Sequence, residues 1–161
     1  MGPRFDLFAN ELGAKIGKRF AGVSLAIEQS SLSKSTVELV NLRVSQINGC
    51  GFCVDFHTKE LAVAGESAVR VNLVAAWRES TVFTDAERAV LAFAEEGTRL
   101  ADAHTGVSDD TWARVREHYD DDQVAALVYL VAMINAANRL GVIVGNPGGS
   151  YEPGMFANLS S

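Results

Sequence analysis

Apolar residues recur along this chain mainly at the spacing of an α-helix. In the first thirty residues they stand three or four positions apart, which predicts one or two amphipathic helices. The residues of this stripe are Phe5, Leu7, Phe8, Leu12, Ile16, Phe20, Val23 and Ile27. No stretch of the sequence shows the strict alternation of a half-buried β-strand. The pattern therefore predicts an all-α protein.

Turn residues and helix-capping residues divide the rest of the chain into further helices. Thr84 with Glu87 three residues later is a capping-box pattern, in which each side chain binds the other residue's backbone amide. In the last helix, residues 124–134 are apolar on nearly every face, which indicates burial on all sides, partly by a second copy of the chain. The expected helices cover about residues 35–48, 50–64, 71–78, 84–94, 108–119 and 120 onward. Together they predict a bundle of six to eight helices.

The length and composition fit one globular domain over residues 1–161, with a helical core at about 34–145. The tail at 146–161, rich in glycine and proline, is expected to be irregular or to form an arm that reaches a neighbour. Hydrophobic residues make up 48% of the chain and charged residues 21%, as is typical of packed proteins. The net charge of −6 disfavours nucleic acid and an anionic membrane as partners. The chain shows no secretory leader pattern, and its longest apolar run is shorter than the roughly 20 residues that span a bilayer. We therefore expect a cytoplasmic protein.

The two cysteines of the chain stand together as Cys50-Gly51-Phe52-Cys53, with His57 four residues further on. The thiolate is the reactive form of cysteine, so a redox site needs groups that hold negative charge on sulfur. At the start of a helix, Cys50 faces the unpaired amides of the first turn. His57 lies one turn beyond Cys53 on the same face, where an imidazole can accept and return the proton of that thiol. This arrangement predicts redox chemistry, because cysteine pairs in the cytoplasm rarely serve as structural crosslinks.

Glu38 lies twelve residues before the first cysteine, and one straight helix would place it roughly 120° away around the helix axis. A turn after Asn48 would let two helices meet and bring Glu38 over His57 or over the second cysteine. A carboxylate, an imidazole and a thiol would then form one set. The alternative role of Glu38 is a helix cap, because Ser35 stands three residues before it, as in a capping box.

The spacing of these residues resembles the active-site signature of AhpD-like alkylhydroperoxidases, in the carboxymuconolactone decarboxylase superfamily. That signature is Glu, eleven residues, Cys-x-x-Cys, three residues and His. It is matched by Glu38, Cys50, Cys53 and His57. The resemblance continues in three further stretches and so extends from about residue 38 to about residue 145. These stretches are Trp77-Arg78-Glu79, Thr84-Asp85-Ala86-Glu87-Arg88-Ala89 and Ile134-Asn135-Ala136-Ala137-Asn138-Arg139.

The resemblance implies a role for each of the four matched residues. Cys53 would be the peroxidatic thiol that forms a sulfenic acid, and Cys50 would resolve that acid to a disulfide. His57 with Glu38 would form the proton relay. The resemblance further implies a hydroperoxide substrate, an external dithiol or a lipoylated protein as reductant, no cofactor or metal, and a homo-oligomer such as a trimer or hexamer. The chain departs from the best-studied branch at Phe52, where that branch has a second histidine, so the site has one proton carrier fewer and a more apolar pocket.

Three alternatives to peroxide reduction stay open at this point. A structural zinc ion bound by the two cysteines needs two more ligands, for which the chain offers His57, His104 and His118. A carboxymuconolactone decarboxylase-type enzyme would use His57 and Glu38 for acid–base chemistry and leave the cysteines idle. A redox-sensing helical assembly would be oxidised without turnover.

Three polar residues stand on the otherwise apolar last helix. They are Asn135, Asn138 and Arg139. We expect them either to form hydrogen bonds across an interface or to cap the helix that carries the cysteines.

Overall fold

The computed structural model describes residues 2–103 and 105–156 of the chain. Within these ranges it contains eight α-helices, one 3-10 helix and no β-strand, which agrees with the predicted all-α class. The α-helices are α1 (Glu11–Glu28), α2 (Lys34–Asn48), α3 (Gly51–Val63), α4 (Ala68–Leu73), α5 (Asp85–Thr98), α6 (Leu100–Ala103), α7 (Asp109–His118) and α8 (Asp121–Val144). The 3-10 helix covers Val74–Glu79.

Side chains cap the helices where the sequence predicts it. At the start of α5, the Thr84 hydroxyl accepts a hydrogen bond from the Glu87 backbone amide (3.2 Å). The Glu87 carboxylate in turn accepts one from the Thr84 amide (2.8 Å), which completes the predicted capping box. The Ser108 hydroxyl caps α7 by accepting from the Thr111 amide, and Asp120 forms a second capping box with Gln123 at the start of α8.

Two short elements differ from the expectation. The segment expected to form one helix at about 71–78 forms α4 followed by the 3-10 helix. Within the 3-10 helix, the backbone at Ala76 leaves the helical conformation (φ −124°, ψ 33°). The four-residue helix α6, between α5 and α7, has no counterpart among the expected helices.

Helix α2 lies at the centre of the bundle and packs against α3, α5 and α8. Its buried residues belong to two apolar clusters. The first joins α2 to α1, α5, α7 and α8 and includes Val40, Val44, Val90, Leu127 and Val131. The second joins α2 to α3, α4, the 3-10 helix and α5 and includes Leu39, Leu42, Leu61, Trp77 and Leu91. Because α2 contributes to both clusters, its position relative to α3 is fixed by the core.

In the single chain α8 is buried on one face only, and the expectation that a second copy of the chain covers the rest stays a prediction. One face, with Leu127 and Val131, packs in the core, whereas Val128 and Tyr129 are 44% and 62% exposed. The apolar stripe of the first thirty residues behaves similarly, since Ile27 is its only buried member. Hydrophobic periodicity thus identifies the helices. Within the described part of the chain, no element covers the exposed apolar faces of α8 and of the first thirty residues. Assembly into trimers or hexamers stays a prediction.

Helix α8 is longer than the apolar run on which the sequence-based estimate of membrane spanning rests. It has 24 residues, and by length and composition alone it is the one helix of the described chain that is apolar enough to cross a membrane. Bundle helices of soluble proteins meet the same two criteria, and α8 packs against α1, α2 and α5.

The tail after α8 turns back onto the protein's own α3. Gly145 ends α8 in the left-handed conformation (φ 68°), which favours glycine. Residues 146–151 then run along α3, and Tyr151 is only 2% exposed. This part of the tail is therefore not an arm extended toward a neighbour. Residues 157–161 lie outside the described chain.

Candidate active site

The two cysteines lie at the N-terminus of α3 and are joined by a disulfide bond (S–S 2.03 Å). Cys50 is the N-cap residue, and its Sγ accepts a hydrogen bond from the Cys53 backbone amide (3.3 Å). The expectation that the first turn directs an amide at Cys50 is confirmed. Gly49 ends α2 in the left-handed conformation (φ 68°), which provides the predicted turn between the helices. Both cysteines are buried, with 1% and 7% of their surface exposed.

Glu38 on α2 and His57 on α3 meet between the two helices. His57 Nδ1 and Glu38 Oε2 are 2.6 Å apart, and both residues are buried. This contact fixes the imidazole and, with Nδ1 engaged, leaves Nε2 as the ring nitrogen that can exchange a proton. His57 follows Cys53 by one helical turn on the buried face of α3. The structure thus brings the four predicted residues together, while their catalytic roles stay predictions.

The alternative role of Glu38 as a helix cap is wrong. Ser33, not Ser35, is the N-cap of α2, and its hydroxyl accepts a hydrogen bond from the Thr36 amide (3.0 Å). With the cap at Ser33, the capping-box position falls on Thr36, and Glu38 lies beyond the first turn. Its carboxylate is therefore free to contact His57.

A network of amide side chains ties the last turn of α2 to α8. Asn48 Nδ2 donates to the side-chain oxygens of Asn135 and Asn138, both at 3.0 Å. Asn138 in turn donates to the Ser45 hydroxyl (3.0 Å), and Arg139 donates to Asn135 (3.0 and 3.1 Å). The expectation that these residues cap α3 is therefore wrong, whereas hydrogen bonds across an interface between chains stay a prediction. Within the chain, these residues hold the helix end that precedes the cysteines.

The backbone of α8 lies directly against the disulfide. A Cβ atom at Gly141 would lie 3.0 Å from Cys50 Sγ and 3.6 Å from Cys53 Sγ. A side chain at this position would therefore press on the sulfur atoms. Glycine allows α8 to cover them closely.

The tail contacts on α3 were missed by sequence reasoning. Asp55 Oδ2 accepts hydrogen bonds from the backbone amides of Gly149 (2.8 Å) and Tyr151 (3.1 Å). Lys59 donates to the Tyr151 carbonyl oxygen (2.6 Å), and the Tyr151 hydroxyl donates to Glu60 Oε1 (2.7 Å). The hydrogen bond from Lys59 is the main cause that lowers the pKa of Asp55. The one available signal was the single tyrosine in a tail rich in glycine and proline.

The hydrogen bond between Tyr151 and Glu60 shifts the pKa of both groups. Burial raises the pKa of the Tyr151 hydroxyl, and the bond to Glu60 adds to that rise. Burial alone would also raise the pKa of Glu60, but hydrogen bonds from Tyr151 and Lys34 lower it below its usual value. Glu60 is therefore an ionised carboxylate one turn beyond His57.

A second buried carboxylate, Glu95 on α5, is surrounded by three arginines and a tryptophan. Its oxygens accept hydrogen bonds from Arg43 (2.7 Å), Trp77 (2.9 Å) and Arg78 (2.8 Å), and Arg99 lies 3.8 Å away. Burial on its own would raise the pKa of Glu95, but the hydrogen bonds from Trp77, Arg78 and Arg43 lower it. Glu95 is thus held in its charged form.

The ligands that a zinc ion would need are not gathered around the cysteines in the described residues. The cysteines are bonded to each other, and His57 is paired with Glu38. His118 lies at the end of α7, and His104 falls outside the described residues. Within residues 2–103 and 105–156, no group of three or more His, Cys, Asp and Glu side chains is placed to hold a metal ion.

Comparison with known proteins connects this geometry to a family. Residues 14–96 match the model of the carboxymuconolactone decarboxylase family. The chain is 40% identical over 119 residues to the uncharacterized protein YdfG of Bacillus subtilis, a match that covers 74% of this chain and 80% of YdfG. A segment of 47 residues is 46% identical to the alkyl hydroperoxide reductase AhpD of a Bradyrhizobium species, which covers 29% of this chain and 26% of that protein.

A solved structure shares the fold over nearly the whole chain. It is a protein of unknown function from Agrobacterium tumefaciens, provisionally assigned as an antioxidant defence protein AhpD. The two are 30% identical, with a TM-score of 0.85 and coverage of 92% of this chain and 99% of that one. The match of the family model over half of the chain, the shared fold and the four-residue site together show that this chain is an AhpD-like member of the carboxymuconolactone decarboxylase family.

Proposed function

We propose that the protein is a thiol-dependent peroxidase that reduces hydroperoxides through Cys50 and Cys53. The observation that carries this proposal is the buried pair of Glu38 and His57, one helical turn from a disulfide at the N-terminus of α3. A carboxylate that fixes one imidazole nitrogen leaves the other to accept a proton from a thiol and to return it. Family membership and the AhpD-named relatives support the same reaction class.

In the first step, the Cys53 thiol transfers its proton to His57, and the thiolate attacks an oxygen of the hydroperoxide. The sulfur–oxygen bond forms as the oxygen–oxygen bond breaks, and the leaving alkoxide takes the proton from His57. The products are an alcohol and a sulfenic acid on Cys53. Glu38 stabilises the imidazolium that exists between the two proton transfers.

In the second step, the Cys50 thiol condenses with the sulfenic acid, which forms the disulfide and releases one molecule of water. The backbone amide that contacts Cys50 Sγ favours negative charge on this sulfur as it attacks. An external dithiol then returns two electrons and two protons to the pair and becomes a disulfide itself. A lipoylated protein is the reductant that the family suggests, and the cytoplasm is the proposed compartment.

The proposal is tested by measuring cumene hydroperoxide consumption by the purified protein with dihydrolipoamide as reductant. We expect steady turnover in the wild type, and none in Cys53→Ser or Cys50→Ser, because neither single thiol can close the cycle. Circular dichroism checks that each variant remains helical. Turnover that persists when both cysteines are replaced by serine would contradict thiol chemistry and favour acid–base catalysis by His57 and Glu38. A single oxidation without turnover, whatever the reductant, would favour a redox sensor.

A further inference from the structure

Residues 146–151 form a segment that we call the C-terminal strap. This strap is attached to α3 through the carboxylate of Asp55 and through the ring of Phe56. The amides of Gly149 and Tyr151 donate to one oxygen of Asp55 (2.8 and 3.1 Å). The Tyr151 ring packs on Phe56 with the ring centroids 4.2 Å apart, and its hydroxyl donates to Glu60 (2.7 Å). The strap therefore has a defined position although it contains no helix.

The strap also touches the turn of α3 that holds the disulfide. A Cβ atom at Gly148 would lie 2.5 Å from the Gly51 carbonyl oxygen and 3.4 Å from the Phe52 amide nitrogen, so the two backbones are in direct contact. Gly141 of α8 lies against both sulfurs, and α2 packs along α3. With these three elements in place, the two cysteines are almost fully buried.

Reduction requires that a thiolate reach one of the two sulfur atoms. Helices α2 and α8 are held by the apolar core, so their displacement would disrupt the bundle. The strap is held by four hydrogen bonds to side chains of α3 and by contacts of the Tyr151 ring with Phe52, Phe56 and Phe156. It belongs to neither apolar cluster of the core, and such segments open locally at lower cost than core helices. Of the elements around the disulfide, the strap is the one that can move while the fold remains intact.

We propose that the C-terminal strap closes the face of α3 on which a thiol reductant docks, and that Tyr151 and Gly148 set how readily this face opens. The covered surface is formed by Phe52, Asp55 and Phe56. When the strap leaves, a dithiol attacks one sulfur, the cysteine disulfide breaks, and a mixed disulfide forms. The second thiol of the dithiol then releases the protein as two thiols, and the dithiol is oxidised to its own disulfide. The inference rests on the proposed function only in that a thiol recycles the cysteine pair.

The test measures how fast dithiothreitol reduces the disulfide, by alkylation of the freed thiols and mass spectrometry of the intact protein. Gly148→Ala places a methyl group against the Gly51 carbonyl, and Tyr151→Ala removes the ring and the hydroxyl. Both variants should be reduced at least roughly tenfold faster than the wild type. Tyr151→Phe keeps the ring contact and should stay within roughly threefold of it. Ser150→Ala, at an exposed strap position, is the matched control and should not differ.

A core variant separates strap opening from general instability. Val115→Ala removes buried side-chain volume in α7, away from the strap, and should leave the reduction rate of the folded protein unchanged. Equal acceleration by Val115→Ala would mean that reduction follows global unfolding, and this would overturn the proposal. Wild-type rates in both Gly148→Ala and Tyr151→Ala would overturn it as well.

Reduction in strong denaturant is a further control, and the whole test is independent of peroxidase activity. In strong denaturant all variants should be reduced at one rate, and a persistent difference there would also overturn the proposal, because no strap exists in the unfolded chain. No peroxide is added in these experiments. A protein that fails to consume peroxide can therefore still show the predicted order of rates, and a peroxidase can fail to show it.

Discussion

Two buried carboxylates on neighbouring helices, Glu38 and Glu95, have opposite surroundings. Glu95 accepts hydrogen bonds from Arg43, Trp77 and Arg78, whose side chains act only as hydrogen-bond donors. Glu38 is bound to His57, and an imidazole can both accept and donate a proton. Burial alone therefore does not identify a functional carboxylate. The distinguishing feature is whether its partner can exchange a proton.

The two sites are connected through α2. Arg43 lies on this helix between Glu38 and the turn that leads to the cysteines. Its bond to Glu95 joins α2 to α5, and Trp77 and Arg78 bring in the 3-10 helix. We interpret Glu95 as the group that positions the scaffold and Glu38 as the group that acts in the reaction.

The largest effect on stability is expected for Glu95→Ala. Removing this carboxylate leaves Arg43, whose side chain is only 11% exposed, without its ion-pair partner, which should lower the free energy of unfolding by about 3–5 kcal/mol. Urea unfolding followed by circular dichroism measures the change. Glu117→Ala, at an exposed position of α7, is the control and should change it by less than about 0.5 kcal/mol. A loss below about 1 kcal/mol for Glu95→Ala would show that Glu95 does not hold α2, α5 and the 3-10 helix together.

The next largest effect is the loss of activity in Glu38→Gln. Glutamine cannot stabilise the imidazolium of His57 by charge, so kcat/KM for peroxide should fall about a hundredfold, the scale of one acid–base contribution. Glu95→Gln makes the same chemical change at the other site. It should lower stability but leave kcat/KM of the folded protein within about threefold. If the two substitutions affect kcat/KM equally, the distinction between the carboxylates is wrong.

The pH dependence of stability should differ between the wild type and Glu95→Gln. Because the folded-state pKa of Glu95 is depressed below its usual 4.5, its contribution to stability is present above pH 4.5 and is lost as the pH falls through the folded value. The wild type should therefore lose stability in acid more steeply than the variant. Unfolding curves measured at several pH values below 5 would reveal this, and identical slopes would contradict the depressed pKa.

The smallest effect is expected for Arg99→Ala. Its guanidinium lies 3.8 Å from Glu95, and the Arg99 side chain is 45% exposed. Exposed ion pairs contribute little, so the free energy of unfolding should change by less than about 0.5 kcal/mol. A loss comparable to that of Glu95→Ala would mean that the contacts of Glu95 depend on the exposed Arg99.

The sequence predicts which residues lie together at the candidate site, because the determinants of that placement are mostly local. The spacing of Cys53 and His57 places them on one face of α3, and Gly49 ends α2 where the turn is needed. Glu38 is harder, since Ser35 offers a local alternative. The alternative fails because Ser33, two residues earlier, takes the capping position.

Contacts between distant segments are not predicted, because they depend on packing rather than on spacing. The partners of Glu95 come from α2 and the 3-10 helix, and its one sequence signal is a carboxylate that directly follows the fully apolar run 89–94. The strap contact between Tyr151 and Glu60 joins residues 91 positions apart. Hydrophobic periodicity also cannot predict that the outer face of α8 is exposed, because it identifies an apolar face but not the element that covers it.

The most direct measurement is the pH dependence of alkylation of Cys53 in reduced Cys50→Ser protein. If Glu38 and His57 stabilise the thiolate, the pKa of the Cys53 thiol should lie clearly below the ordinary value of about 8.5. Adding Glu38→Gln should raise that pKa toward the ordinary value. A Cys53 thiol that titrates like free cysteine in both proteins would contradict the assignment of the Glu38–His57 pair as its activating group.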